Sequence, residues 1–322
     1  MRTACFLLAM AALAIGAPAN ATPTRIMPLG DSITESSGGH ASYRYWLWND
    51  LLSAGYDPDF VGSRYGVHAG EPAFPDFDQD HEGHWGWRAD QFRAQIAGWV
   101  TTCQPQVILI HLGHNDLWQG QGVANAIADL DAIIDTIRSV RPTAVFLLAQ
   151  VIPAVDGIGL FQIPLLNDEI AALAARKHTE ASPVLVVDQF TGFDPDVDTW
   201  DGVHPDESGE IKMADRWFEV LQQVLPDPVG VGSDPPAKPG VLAFPNPFRG
   251  KVTLRGSIVG GSGARIDVVD AAGRHRAALR MDRPGVVWDG CDANGEAVPP
   301  GVYFARITTD GTIRVRKLIR LR

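Results

Sequence analysis

Arg25-Ile26-Met27-Pro28-Leu29-Gly30-Asp31-Ser32-Ile33-Thr34 is the stretch on which the reading of this chain turns. A mostly apolar run leads into a glycine, an acid and a serine. The pattern predicts a buried strand ending in a tight turn. Ser32 then stands at the carboxyl end of that strand, the edge of an open α/β sheet where ligands bind. Pro28 predicts a strand that is short or irregular near its end. A serine hydroxyl is a weak nucleophile until a base takes its proton. Gly, Asp and Ser are also common turn residues. The rest of the chain therefore decides whether Ser32 does chemistry or only makes a turn.

Outward from this stretch, residues 24–225 alternate between two textures. Short apolar runs occur at Arg25–Leu29, Phe60–Gly62, Val107–Leu112, Ala144–Val151 and Val184–Val187. Amphipathic stretches separate them at Tyr43–Ala54, Ala89–Thr101, Val123–Val140, Leu165–Ala181 and Glu207–Leu225. Near-continuous apolar strands alternating with helices predict a parallel sheet covered on both faces. The runs at Val107 and Ala144 read as central strands. The acidic run Asp76–Glu82 reads as a solvated loop, and Asp80–Arg88 shows neither strand nor helix period.

Both ends of this unit differ from it. Arg2, the apolar run Cys5–Ile15 and Ala19-Asn20-Ala21 predict a signal peptide over 1–21, cleaved after Ala21, and so a secreted or cell-surface protein. The apolar run is too short to span a bilayer, so no membrane insertion is expected. Residues 226–240 (PDPVGVGSDPPAKPG) lack periodicity and read as a Pro/Gly-rich linker. Beyond it, short alternating runs at Val252–Leu254, Arg265–Val269, Val286–Trp288, Val302–Thr308 and Arg314–Leu321 predict a second domain, a small β-sandwich over 241–322. Ala272-Gly273, Asn294-Gly295 and Asp310-Gly311 supply its turns.

Charge and cysteine content narrow the function classes. The chain of 322 residues has a net charge of −11. Residues 241–322 carry 14 of the 27 basic and 7 of the 38 acidic side chains, for +7, and the remainder stands at −18. So acidic a main unit argues against nucleic acid as a partner and favours a neutral substrate. Cys5 leaves with the signal; Cys103 and Cys291 are far apart and have no CxxC or Cys/His companion, so neither a disulfide framework nor zinc is expected. Asp194-x-Asp196-x-Asp198 resembles half of a calcium loop, but Thr199 and Pro205 stand where its Gly and Glu belong. No metal or cofactor is expected.

Three further segments of the main unit supply what Ser32 lacks. Asp201-Gly202-Val203-His204-Pro205 offers His204 as a general base, because histidine titrates near neutral pH. Asp201 can orient its other ring nitrogen. Pro205-Asp206-Glu207 is a helix start that would fix this loop. Trp85-Gly86-Trp87 offers the Gly86 N–H, and Gly113-His114-Asn115-Asp116 offers the Asn115 side-chain amide. Together with the Ser32 N–H these make three oxyanion donors. Taken alone, an Asn after a strand reads as a turn residue and DxxH as a capped helix start; the set in this order reads as acyl-transfer chemistry. Four of the nine tryptophans, Trp85, Trp87, Trp118 and Trp200, flank these segments, and their flat faces suit pyranose rings as well as core filling.

Gly-Asp-Ser, a glycine loop, Gly-x-Asn-Asp and Asp-x-x-His in this order resemble the SGNH (GDSL) hydrolases. Ile26–Thr34, Tyr43-Arg44, Asp59–Ser63, His81-Glu82-Gly83-His84 with Gly86-Trp87, and His204-Pro205 resemble more narrowly carbohydrate esterase family 3, the acetylxylan esterase-like group. The resemblance covers about residues 24–225. It implies a flavodoxin-like three-layer α/β/α fold and removal of acetyl groups from polysaccharide. It makes Ser32 the nucleophile, His204 the base, Asp201 its acid, and Gly86 and Asn115 oxyanion donors. His114 stands where that group usually has Thr or Ser. Asp31, Arg44, Trp85, Trp87, His114, Trp118 and Trp200 are the expected substrate-binding residues. A lipase, arylesterase or thioesterase of the same superfamily stays open, as does a non-catalytic carbohydrate-binding surface protein. Residues 241–322, with Phe244-Pro245-Asn246-Pro247-Phe248, Trp288-Asp289-Gly290 and Gly301-Val302-Tyr303-Phe304, resemble the immunoglobulin-like domain of hook-capping proteins and type IX secretion sorting domains. That resemblance implies an export or cell-surface partner.

Overall fold

The computed structural model describes residues 22–155, 157–226, 242–244, 246, 248–255, 264–281, 285–309 and 312–321. The expected signal peptide, the linker beyond Pro226 and the Asp310-Gly311 turn lie outside these residues.

The α/β unit runs β1 (Thr24–Gly30), α1 (Ser32–Glu35), α2 (Ser42–Ser53), β2 (Pro58–Phe60), β3 (Arg64–Tyr65), β4 (Asp80–Gly83), α3 (Ala89–Cys103), β5 (Val107–His111), α4 (His114–Trp118), α5 (Gly122–Val140), β6 (Val145–Gln150), α6 (Gly157–Lys177), β7 (Val184–Asp188), α7 (Pro195–Asp198) and α8 (Glu207–Leu221). The sheet has the order β3-β4-β1-β5-β6-β7, with β2 also on β1. All pairs are parallel except β3 with β4.

Alternation along the strands assigns the two faces. Met27, Leu29, Ile108 and Ile110 pack with α3, α5 and α6. Ile26, Val107, Leu109 and Leu147 pack with α2 and α8. Two apolar layers on one sheet explain why β5 is buried at every residue and reads as an unbroken apolar run. The result is the three-layer α/β/α arrangement that the strand and helix pattern predicts.

Three expectations are corrected here. β1 is regular through Pro28, which pairs in register with Leu109. Pro28 sits where the neighbour on the other side changes from β2, paired at Thr24–Ile26, to β4, paired at Leu29–Gly30, so its missing N–H is little needed there. Asp80–Gly83 is a strand rather than part of a loop, and Glu82 is fully buried rather than solvated. Its pairing uses the main chain, while its polar side chains find partners inside, so no hydrophobic period marks it. Helix α6 begins at Gly157 and carries Pro164 within it, eight residues before the expected start at Leu165.

The C-terminal region holds β8 (Leu242–Phe244), β9 (Val252–Arg255), β10 (Ala264–Asp270), β11 (His275–Met281), β12 (Gly285–Trp288), β13 (Gly301–Thr309) and β14 (Thr312–Arg320). They form two antiparallel sheets, β11-β10-β13-β14 and β12-β9-β8. Phe248, Leu254, Ile266, Trp288, Tyr303 and Leu318 lie in one apolar cluster between them. β8 and β11 escape the sequence reading; β11 is interrupted by Arg276 and Arg280, which mask its alternation. Cys103 and Cys291 are both free. Among the described residues no helix is long and apolar enough to cross a membrane.

Candidate active site

Ser32 is the first residue of α1, directly after β1. The turn is tight because Gly30 has no side chain: a Cβ there would lie 2.3 Å from Thr34 Oγ1 and 2.6 Å from the His111 carbonyl. Asp31 caps α1, its Oδ1 accepting the Ile33 N–H at 3.0 Å. The Ser32 N–H belongs to the first helical turn, whose donors have no intrahelical partner.

The loop before α8 brings in His204. His204 Nε2 lies 2.9 Å from Ser32 Oγ, and its Nδ1 lies 2.7 Å from Asp201 Oδ2. The other carboxylate oxygen, Asp201 Oδ1, accepts the N–H groups of Val203 at 3.0 Å and His204 at 2.7 Å. Partial burial works against the charge on Asp201, but these hydrogen bonds outweigh it and hold the carboxyl below its usual range. Thr199 Oγ1 accepts the Gly202 N–H, and Asp206 caps α8 through the N–H groups of Ser208 and Gly209. The Asp201–His204 loop is thus tied at both ends.

Gly86 lies in the turn before α3, and Asn115 lies in α4. Gly86 has φ +75°, a left-handed conformation that favours glycine, in a turn closed by the Trp87 N–H on the His84 carbonyl. Nothing crowds a Cβ at this position, so backbone conformation is what calls for glycine. Its carbonyl is held by Gln119 Nε2 at 2.8 Å. Asn115 Nδ2 donates to Asp31 Oδ2 at 3.3 Å, which orients the amide beside the serine.

Several acids that sequence reasoning passed over hold this frame. Glu35 accepts the Trp85 N–H at 2.6 Å and the Arg64 guanidinium at 2.7 Å. Glu82 accepts from the Ser63 N–H and hydroxyl, both at 2.7 Å, and lies 2.6 Å from His84 Nε2. Asp116 accepts the Ala89 N–H at the start of α3, with its pKa pushed up to about 6, chiefly by burial. Each binds a backbone N–H of a loop around the site. Their only sequence signal is an acid inside a polar loop, which reads equally as a solvated residue.

A scan against protein families matches residues 29–210 to the GDSL-like lipase/acylhydrolase family. The chain belongs to that family. The GDSL unit is similar to a crystal structure of a carbohydrate esterase family 3 protein from Talaromyces cellulolyticus, 31% identical, covering 62% of this chain and 97% of that one, with a TM-score of 0.56. It is also similar to a family 3 carbohydrate esterase of Clostridium thermocellum, 33% identical, covering 63% of this chain and 99% of that one, with a TM-score of 0.55. Among curated proteins it is 27% identical to a multidomain esterase of Ruminococcus flavefaciens over 239 residues, 67% of this chain and 30% of that protein. The chain spans under two thirds of the curated relatives it matches.

Within the GDSL unit the expected substrate-binding residues part company. Ser32, Trp85, Trp200 and His204 line one small pocket, with Ser36, Tyr43 and Glu210. Trp87 packs instead against His84, Phe92 and Trp99, and Trp118 stacks on His114 over the core. His114 is buried, with Nε2 2.8 Å from the Ile152 carbonyl. Asp31 is buried as a cap and a bracket for Asn115, its carboxyl pushed up to about 7, chiefly by burial. Arg44 is fully buried and donates to the carbonyls of Thr34, Glu35, Gly66 and Gln79. It is a clamp between segments, and burial lowers its pKa to about 10. Asp31, Arg44 and His114 are thus buried and engaged within the fold, while Trp87 and Trp118 are half-buried and packed against the core. Trp85 and Trp200 line the pocket, but their flat faces already carry imidazoles, Trp85 those of His68 and His204, Trp200 those of His40 and His204. Asp194 caps α7 and Asp198 pairs with Lys212 at 2.6 Å, so the half calcium loop spends its carboxylates internally.

Proposed function

We propose that this protein is an exported serine esterase that removes acetyl groups from polysaccharide. The observation that carries the reading is the continuous bonding from Asp201 through His204 to Ser32, at 2.7 and 2.9 Å. Ser32 Oγ attacks the ester carbonyl while His204 Nε2 takes its proton. The imidazolium that forms is held by Asp201. Negative charge develops on the carbonyl oxygen, and the donors beside Ser32, namely its own N–H, the Gly86 N–H and Asn115 Nδ2, receive it. His204 returns the proton to the departing sugar oxygen. It then takes a proton from water, whose attack on the acyl-serine releases acetate and restores Ser32.

The compact pocket beside Ser32 suits a short acyl group. The family 3 carbohydrate esterases and an acetyl esterase mutant solved with acetate ion, 30% identical and covering 62% of this chain, support an acetyl ester on a carbohydrate. The sequence pattern at 1–21 supports export, and the basic C-terminal β unit, resembling an immunoglobulin-like sorting module, fits retention at the surface. The test is acetate release from acetylated xylan, pectin and chitin oligomers, beside p-nitrophenyl esters of increasing chain length. Acetyl preference is expected, with Ser32→Ala and His204→Ala each losing about 10⁴-fold or more and the double variant little worse. Preference for long acyl chains points to a lipase instead. Full activity in Ser32→Ala overturns the mechanism.

A further inference from the structure

His204 does not stand alone between Ser32 and Asp201. Its ring lies near-parallel to Trp85, with centroids 4.8 Å apart and planes 15° apart, and to Trp200, at 5.2 Å and 16°. Trp85 is in turn stacked on His68 at 4.5 Å, and Trp200 on His40 at 5.1 Å. The five rings His40, Trp200, His204, Trp85 and His68 form one continuous stack. They come from four separate segments of the chain. Each indole is held from its own backbone: the Trp85 N–H donates to Glu35, and the Trp200 N–H donates to the His204 carbonyl at 3.0 Å.

A stack of this kind acts on an imidazole in two ways. It blocks rotation of the ring out of the plane in which Nε2 meets Ser32 and Nδ1 meets Asp201. It also places two electron-rich indole faces against a ring that becomes positively charged, and such faces attract cations more than neutral rings. The second effect is differential, because it is stronger when the ring carries the extra proton than when it does not. Only such differential interactions lower a barrier. The other ionisable groups around the ring are Asp201, bonded to it, Tyr43 of α2 and Glu210 of α8 in the same pocket, Glu35 of α1 behind Trp85, and the outer imidazoles of His40 and His68. None of these supplies a π face to His204.

We infer that Trp85 and Trp200 are positioning residues for the base, which hold the His204 ring in plane and stabilise its imidazolium, rather than platforms for sugar. This rests on the reading of His204 as the base. One interaction energy then sets two observables. Losing an indole lowers kcat by about two- to fivefold and moves the acidic limb of kcat/KM to lower pH by about 0.3 to 0.7 pH unit, since the same factor governs both.

The test compares Trp200→Leu and Trp85→Leu with Trp200→Phe and Trp85→Phe, on a small acetyl ester and on an acetylated oligosaccharide. The expected result is a matched fall in kcat and downward move of the limb for the Leu variants, on both substrates, largely restored by Phe. A rise in KM confined to the oligosaccharide, with the limb unmoved, makes the indole a sugar contact and overturns the inference. A fall in kcat with the limb unmoved makes the role structural and also overturns it. Trp200 is 46% exposed and its replacement keeps the test open should Trp85→Leu fail to fold. An NMR titration of the His204 ring in Ser32→Ala, with and without Trp200→Leu, reads the same effect without turnover. A midpoint that moves down there supports the inference even if no ester is hydrolysed; an unmoved midpoint overturns it whatever the activity.

Discussion

Replacing Asp31 by Asn exchanges one oxygen for an amide nitrogen and separates two duties of that side chain. The carboxyl is 1% exposed and its pKa is pushed up to about 7 from 3.8, chiefly by burial. A folded-state value above the unfolded one means that the folded carboxyl binds its proton more tightly. Its contribution to stability is full below about pH 4 and is lost as pH rises through about 7. The loss is roughly 4 kcal/mol at pH 8 and roughly 2 kcal/mol at pH 5 for this pair of values. Asn has no charge to bury and still accepts the Ile33 N–H through its carbonyl oxygen. Asp31→Asn is therefore expected to be the more stable protein at pH 8, by up to about 4 kcal/mol, with the advantage shrinking at pH 5. Its amide nitrogen, however, confronts Asn115 Nδ2, which loses its acceptor at 3.3 Å. A fall of about 10- to 100-fold in kcat should accompany the gain. Urea unfolding followed by tryptophan fluorescence reports on the right unit, since eight of the nine tryptophans precede residue 226. An advantage that does not change with pH, or a variant less stable than the parent at pH 8, refutes the argument.

Asn115→Ala should lower kcat by about 10² to 10³ with little change in KM, as expected of a donor to an oxyanion; a rise in KM at constant kcat reassigns it to ground-state binding. Arg44→Met strands at least four backbone carbonyls in the interior and should cost about 3–5 kcal/mol of stability, visible as a large drop in the thermal midpoint. If Arg44 instead binds substrate, Arg44→Met raises KM and leaves the midpoint in place. Residues 22–225 should fold alone and hydrolyse a small acetyl ester within about tenfold of the longer chain, because the apolar clusters of the two regions share no residue. A greater loss in a folded product places part of the site in the C-terminal unit.

The strands β1, β5, β6 and β7 are legible because burial on both faces leaves the sequence no choice but apolar residues. β4 is illegible for the converse reason: Asp80–Gly83 joins the sheet by its main chain, and its buried polar side chains bond within the segment, Glu82 to His84, and to Ser63 some 19 residues earlier. The join of Ser32, His204 and Asp201 is legible because those residue types in that order are tied to one chemistry. Glu35, Glu82 and Asp116 are not legible, since an acid that binds a loop N–H has the same one-letter signature as an acid in water. Arg44 sits in an amphipathic helix and is expected at the substrate, yet its partners are carbonyls up to 35 residues away. Trp85 and Trp87 are two residues apart, and only the turn at Gly86 sends one toward His204 and the other into the core.

Ser32 and His204 are 172 residues apart in the chain, contributed by the turn after the first strand and by the loop before the last helix of the α/β unit. Ser42 and Glu210 are joined across almost the same span, at 168 residues. Contacts at such separations close late, because the chain between them must first be ordered. Until that contact closes, Ser32 has no His204 ring nitrogen to take its proton, and the partly folded chain is catalytically silent. Recovery of turnover after dilution from denaturant should accordingly lag behind recovery of helical signal. Turnover then serves as a clock for the final closure of the sheet.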